Sequence, residues 1–148
     1  MSGIDECLLE AMTLPGARGA ALVEWISGLA LGRIGEAPGG DHEAMAAETA
    51  EFARAAAEHP VFTAPETGGH GLPADADAGT DADVGMDAKA PPVEDLVVVT
   101  RTDYHLLRFV ASPYEGGLFL HLWLDRTHAN LALALLRLRD LAERLVLA

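Results

Sequence analysis

With 148 residues, half of them hydrophobic, the chain is long enough to form one domain with a buried core. A formal net charge of −13 argues against nucleic acid and against anionic membranes as partners. The single cysteine, Cys7, excludes an internal disulfide and is typical of a reducing cytosol. No secretory leader is visible, and no apolar run approaches the roughly 20 residues that a membrane-spanning helix needs. We therefore expect a soluble cytoplasmic protein without membrane insertion.

A helix and a β-hairpin are the first elements predicted. Apolar residues recur at helical spacing between Ile4 and Met12, and a Pro-Gly pair ends this helix. The segments Gly19 to Ile26 and Leu29 to Gly35 are typical of strands, and the Ser27-Gly28 pair between them is typical of a tight turn.

The second predicted helix runs from His42 to Glu58, with Asp41 as its N-cap and His59-Pro60 as its stop. Most apolar side chains of this helix are small. Such a face allows another helix to approach closely, although it is also what high helix propensity alone would produce. The apolar stripe is predicted to comprise Met45, Thr49, Phe52, Ala53 and Ala56.

The segment after this helix has the composition of a flexible loop. Pro60 to Val93 shows no periodicity and is rich in Ala, Asp, Gly and Pro. A segment of this composition cannot bury enough apolar surface to offset its ordering entropy. We predict one domain over residues 1–148, interrupted by a flexible acidic insertion at about 61–93 that is dispensable for folding.

Three strands and a helix are predicted to complete the chain: Glu94 to Arg101, Tyr104 to Val110, Leu118 to Leu124, and a helix from about Thr127 to Val146. The third of these strands places leucines on one face and a phenylalanine, a histidine and a tryptophan on the other. Because both faces are largely apolar, this strand should lie centrally in a sheet with helices on both sides.

No constellation for catalysis or metal binding stands out. His105 and His121 should face each other if Leu107 pairs with Phe119, but no third ligand falls at a supporting spacing, so we predict no metal site. Phosphate-binding glycine motifs are absent. Cys7 is expected to have a raised pKa because acidic residues are its neighbours on the first helix. We predict neither enzymatic activity nor a cofactor.

The order helix, hairpin, helix, three-strand meander, helix resembles that of the roadblock/LC7 domain family, which has a profilin-like fold. The similar segments are Gly19 to Val23 after Leu14 to Arg18, the helix Glu43 to Glu58, and Leu118 to Leu124 leading into a leucine-rich helix. The resemblance implies an α/β (α+β) fold with a five-stranded antiparallel sheet in the order 2-1-5-4-3. The first and last helices would cover one face and the middle helix the other.

The resemblance also implies binding rather than catalysis. Family members pair the edge strand and the middle helix with a second copy, and they regulate or scaffold small Ras-like GTPases. The outer face of the middle helix, with Glu48, Glu51 and Arg54, would be the partner surface. The implied dimer interface comprises Met45, Thr49, Phe52, Ala56, Leu96, Val97, Val98 and Val99.

Three alternatives to a GTPase-linked homodimer stay open from the sequence. The partner in the dimer could be a paralogue, or the protein could be a purely structural dimerisation subunit. A profilin-like domain that senses a small molecule is the third alternative, and it would need an internal pocket lined by polar side chains.

Overall fold

The computed structural model describes residues 2–62, 92–111 and 117–147. The predicted order of elements is confirmed, whereas the predicted insertion lies outside the described residues except for its ends and stays a prediction. The elements, with a 3-10 turn at Pro38–Gly40 before the second helix, are α1 (Ser2–Ala11), β1 (Ala17–Glu24), β2 (Leu29–Gly35), α2 (His42–Glu58), β3 (Asp95–Val99), β4 (Asp103–Val110), β5 (Leu118–Asp125) and α3 (Leu131–Leu147).

The strands form one antiparallel sheet in the order β2-β1-β5-β4-β3, as the resemblance implied. β5 lies in the middle and pairs with β1 on one side and β4 on the other. Six consecutive residues of β5, from Phe119 to Leu124, are buried. The prediction from its two apolar faces is therefore confirmed, and β2 and β3 are the edges of the described sheet.

Helices cover both faces of the sheet in the predicted arrangement. On one face α1 and α3 pack against leucines of the central strands, including Leu106, Leu120 and Leu122. On the other face α2 packs against Val23, Phe109 and other side chains of β1, β4 and β5. These two clusters form the core, and the central strands contribute alternate residues to each of them.

Two predicted boundaries are wrong because polar side chains form turns there. The last helix begins at Leu131 rather than at Thr127, since the Asp125 carboxylate accepts a hydrogen bond from the Thr127 amide at 3.0 Å and closes a turn. Asn130 then caps the helix by accepting from the Leu133 amide at 3.0 Å. β3 ends at Val99, beyond which a threonine hydroxyl organises the turn into β4.

The predicted register between β4 and β5 is also wrong. Leu107 pairs with His121 rather than with Phe119, which pairs with Phe109. A shift of two residues leaves every side chain on its original face, so the apolar pattern cannot distinguish the two registers. His105 therefore lies opposite Trp123 and meets His121 diagonally.

Candidate interaction surface

The helix α2 begins where its sequence predicts. The Asp41 side chain accepts hydrogen bonds from the amides of Glu43 and Ala44, at 3.0 and 3.2 Å, which satisfies two of the amides left unpaired at a helix start. At the other end, His59 has extended backbone and donates its amide to the Ala56 carbonyl. The helix therefore has a defined start and end over 17 residues.

The buried face of α2 consists of a row of small side chains, and the predicted stripe is only partly right. Met45 and Ala53 are buried, but Thr49, Phe52 and Ala56 lie outside the buried row. Because alanines occur on several sides of this helix, its apolar pattern does not specify which side packs. Met45 lies in the core of its own chain, so its side chain is not available to a partner. The buried residues are Met45, Ala46, Ala50, Ala53 and Ala57.

One side of α2, which we call the anchored flank, comprises Glu43, Ala47 and Arg54 and is fixed to the hairpin of its own chain. The Arg54 guanidinium donates to the carbonyl oxygens of Trp25 at 3.1 Å and Ile26 at 3.4 Å. Glu43 lies 3.8 Å from Arg33 of β2. Arg54, predicted to contact a partner, therefore has a structural role inside the chain.

The opposite side of α2, which we call the free flank, comprises Thr49, Phe52 and Ala56. Their spacing places them together on the helix surface, turned away from the anchored flank. The Phe52 side chain is 44% exposed, which is unusual for a phenylalanine beside a core. The Thr49 hydroxyl donates to the Met45 carbonyl at 2.8 Å, so its polar group is satisfied within the helix.

The edge strand β3 divides its four predicted interface residues between the two faces of the sheet. Leu96 and Val98 pair with Leu107 and His105, and so point to the same side as α2. Val97 and Val99 point to the opposite side and are 41% and 53% exposed. The structure therefore brings Leu96 and Val98 to the side of the free flank and separates Val97 and Val99 from it.

The outward side of α2, which we call the outer ridge, carries Glu48 and Glu51. Both side chains are exposed, in contrast to the half-buried Arg54. Of the predicted partner surface, only these two carboxylates face solvent without taking part in the packing of α2.

A column of stacked side chains lies on the α2 side of the sheet. The Arg18 guanidinium lies 3.9 Å from the centroid of the Trp123 ring, Trp123 stacks on His105, and His105 stacks on His121. The pairing of the two histidines was predicted, but the roles of Arg18 and Trp123 were missed. Arg18 occupies an irregularity between β1 and β5 that no sequence pattern marks.

The histidine pair is kept neutral by its surroundings. His105 Nδ1 and His121 Nε2 lie 3.1 Å apart, and His121 is 2% exposed. Burial, with smaller contributions from His105 and His42, lowers the pKa of His121 from 6.5 to about 3. Within the described residues no group of His, Cys, Asp and Glu side chains is arranged to hold a metal ion.

The pKa of Cys7 is raised, as the sequence predicts, but the main cause is different. Burial raises the pKa of the Cys7 thiol to about 11, whereas Glu10 contributes less and Arg144 opposes it. Cys7 lines a cavity of about 170 Å³ between α1 and α3, next to a charged groove of about 620 Å³.

No helix in the described ranges is long and apolar enough to span a bilayer.

Solved structures with the same architecture cover nearly the whole chain. The gliding protein MglB of Thermus thermophilus aligns with a TM-score of 0.63 and 20% identity, over 98% of this chain and 87% of that chain. An MglB with a tetrameric arrangement aligns with a TM-score of 0.62 and 20% identity, over 99% and 89%. A Roadblock/LC7 domain from Streptomyces avermitilis aligns with a TM-score of 0.59 and 15% identity, over 95% and 92%.

No protein-family model matches the sequence, and no curated protein matches it. The likeness therefore concerns the fold, and it extends to the strand order and the helices on both faces of the sheet. These neighbours confirm the predicted resemblance: the chain has the roadblock/LC7 fold.

Proposed function

We propose that this protein is a non-catalytic regulatory module of the cytoplasm that forms a homodimer and acts with a small Ras-like GTPase. The observation that carries the proposal is the free flank of α2, which leaves Phe52 exposed on the same side of the sheet as Leu96 and Val98 of β3, an edge strand of the described sheet. An apolar flank beside an unpaired strand edge is the kind of surface that a second copy can cover.

The similar structures support self-association, since one of them is an MglB with a tetrameric arrangement. The regulatory role in this proposal rests on the resemblance to the roadblock/LC7 family. In the proposed dimer, the free flanks of the two chains face each other and the β3 edges lie nearby. The outer ridges, with Glu48 and Glu51, stay outside the dimer contact and form the surface to which the GTPase binds.

The dimer is tested with a charge on the free flank. Phe52→Glu would bury a carboxylate in the contact, and we expect it to weaken the dimer at least tenfold, because an unpaired buried charge costs several kcal/mol. Light scattering over a concentration series measures the mass. Leu136→Glu on α3 is the matched control, since Leu136 is also an exposed apolar residue but lies on the other side of the sheet.

We expect the unmodified protein and Leu136→Glu to have twice the mass of one chain, and Phe52→Glu to approach the mass of a monomer. A monomer mass for the unmodified protein at micromolar concentration would contradict the homodimer. A partner paralogue would then be tested by mixing the purified chains.

The GTPase is tested by binding and by nucleotide turnover. Each small Ras-like GTPase of the source organism is mixed with the protein, and the rates of GTP hydrolysis and nucleotide exchange are measured. Glu51→Arg should abolish the effect while leaving the dimer intact, because Glu51 lies on the outer ridge. Glu143→Arg on α3 is the matched control. Failure of every GTPase to bind the unmodified protein would leave a structural dimerisation subunit.

No specific observation favours a small-molecule sensor. Such a domain needs an enclosed pocket with a few polar groups. Two of the cavities lined by described residues, of about 170 and 620 Å³, lie between α1 and α3, and the larger is bordered by charged side chains of both signs.

A further inference from the structure

The histidine pair lies beneath α2 in an apolar setting. The cross-strand neighbours of His121 are Ala21 of β1 and Leu107 of β4, both fully buried in the cluster that packs against α2. The rings of His105 and His121 are stacked with a centroid separation of 5.3 Å. A proton added to His121 therefore places a charge between the sheet and α2, where solvation by water is minimal.

The charged and titratable groups around the pair come from three elements. On α2, His42 contributes to lowering the pKa of His121, and its ring nitrogen Nε2 lies 3.0 Å from the Gly35 carbonyl oxygen. His42 is also the first residue of α2, where the helix dipole is positive. From β1, Arg18 is stacked on Trp123 and is balanced by Glu36 at 3.0 Å. From β4, Asp103 favours a charge on His105, and its carboxylate also lies 3.6 Å from the Arg18 guanidinium.

The hydrogen bond between the rings limits how many protons the pair can hold. His105 Nδ1 and His121 Nε2 are 3.1 Å apart, so one of these nitrogens donates and the other must keep its lone pair. A first extra proton is best tolerated on His105, which is half-buried and lies near Asp103. A proton on each facing nitrogen would remove the acceptor, turn the contact into a repulsion and separate the rings.

We propose that the His105–His121 pair is a pH-sensitive lock that holds α2 on the sheet, closed while His121 is neutral and opened when mild acid favours a proton on His121. The direction of the pH dependence follows from the linkage between proton binding and the opening of α2. When α2 lifts away, His121 becomes hydrated and binds a proton at its ordinary pKa of 6.5, whereas in the packed state its pKa is held at about 3. Acid below about pH 6.5 therefore favours the open state. The lock lies within one chain and does not depend on the dimer.

The first test uses the unmodified protein. Nuclear magnetic resonance of the imidazole nitrogens follows the protonation of each histidine, and amide hydrogen exchange, corrected for the intrinsic rate, follows the opening of α2. Between pH 7.5 and 5.5 the opening of α2 should increase about tenfold, since the open state gains a proton that the packed state excludes. Amides of α3, on the other face of the sheet, should change less than twofold.

Two variants separate this lock from general acid sensitivity. His121→Leu removes the titrating group and should make the exchange of α2 independent of pH to within twofold over the same range. His128→Gln is the matched control, because His128 is exposed and contacts Asp125 outside the α2 face. This control should keep the full tenfold response. Keeping to pH 5.5 or above leaves most carboxylates ionised, so their titration contributes little.

Three results would overturn the proposal. His121 titrating near its ordinary pKa in the folded protein would mean that its site tolerates the charge. Equal responses of α2 and α3 would mean that acid acts through unfolding of the whole domain. A tenfold response that persists in His121→Leu would mean that a group other than His121 causes it. If His121→Leu does not fold, the imidazole titration and the comparison of α2 with α3 in the unmodified protein still decide.

Discussion

Different side chains pack on the two faces of the sheet. Between the sheet and the helices α1 and α3 lies a layer of large aliphatic side chains, in which Leu8, Leu120 and Leu138 are almost completely buried. Beneath α2 the helix contributes mainly alanines, and the sheet contributes a histidine pair and Trp123. Because small side chains bury less area, α2 gains less from packing than the other helices do. The leucine-rich face is suited to stability, whereas the alanine-rich face is suited to close approach and to displacement.

The largest effect should come from the leucine-rich face. Leu138→Ala on α3 removes most of a side chain that is 1% exposed, and we expect a loss of about 2–5 kcal/mol in the free energy of unfolding. Denaturant unfolding followed by circular dichroism measures it. Leu136→Ala, exposed on the same helix, is the control. A loss below about 1 kcal/mol would mean that the leucine layer is not the main source of stability.

An intermediate and local effect is expected on the alanine-rich face. Ala53→Leu inserts three carbons at a position that is 0% exposed, and overpacking of a buried site costs about 1–3 kcal/mol. Amide exchange should accelerate in α2 and stay nearly constant in α3. Ala55→Leu, at an exposed position of the same helix, controls for the altered helix propensity. Equal acceleration in both helices would contradict the independence of the two faces.

The smallest effect should come from the ion pair between α1 and α3. Arg144 lies 2.7 Å from Glu10, and this hydrogen bond lowers the pKa of the Glu10 carboxyl below 4.5. The stabilisation is therefore present above that pH and is lost as the pH falls through the folded-state pKa. Because the pair is exposed to solvent, Glu10→Gln should lower the melting temperature at pH 7 by less than either core substitution.

As the pH falls from 7 towards 3, the melting temperatures of Glu10→Gln and the unmodified protein should draw closer together, because the carboxyl becomes increasingly protonated in the folded protein as well. Glu143→Gln is the control for removing one negative charge from the same region. A difference for Glu10→Gln that stays unchanged at pH 3 would mean that the effect does not arise from the ion pair.

The fold was predictable because its strongest signal is a strand with two apolar faces. Leu118 to Leu124 can be buried only in the middle of a sheet with helices on both sides, and the structure places β5 there. The bounds of α2 were also predictable, since Asp41 caps its start and Pro60 follows its end. Both signals are local, because each is carried by residues that are adjacent in the sequence.

The details of the interaction surface were less predictable because they depend on contacts between distant residues. Alternating apolar residues do not distinguish registers two residues apart, so the pairing of Leu107 with His121 was missed. One side of α2 is fixed to the hairpin by the hydrogen bonds from Arg54 to the carbonyls of Trp25 and Ile26, which are far from Arg54 in the sequence. Neither contact leaves a pattern in the sequence around it.

Cys7 has a practical consequence for measuring the proposed dimer. It is the single cysteine of the chain, it is buried, and its pKa of about 11 leaves very little thiolate at neutral pH. Maleimide and methanethiosulfonate reagents should therefore leave it largely unmodified. A cysteine introduced by Glu51→Cys on the exposed outer ridge could carry a spin label without first removing Cys7, so a distance between two copies could be measured in the otherwise unaltered protein.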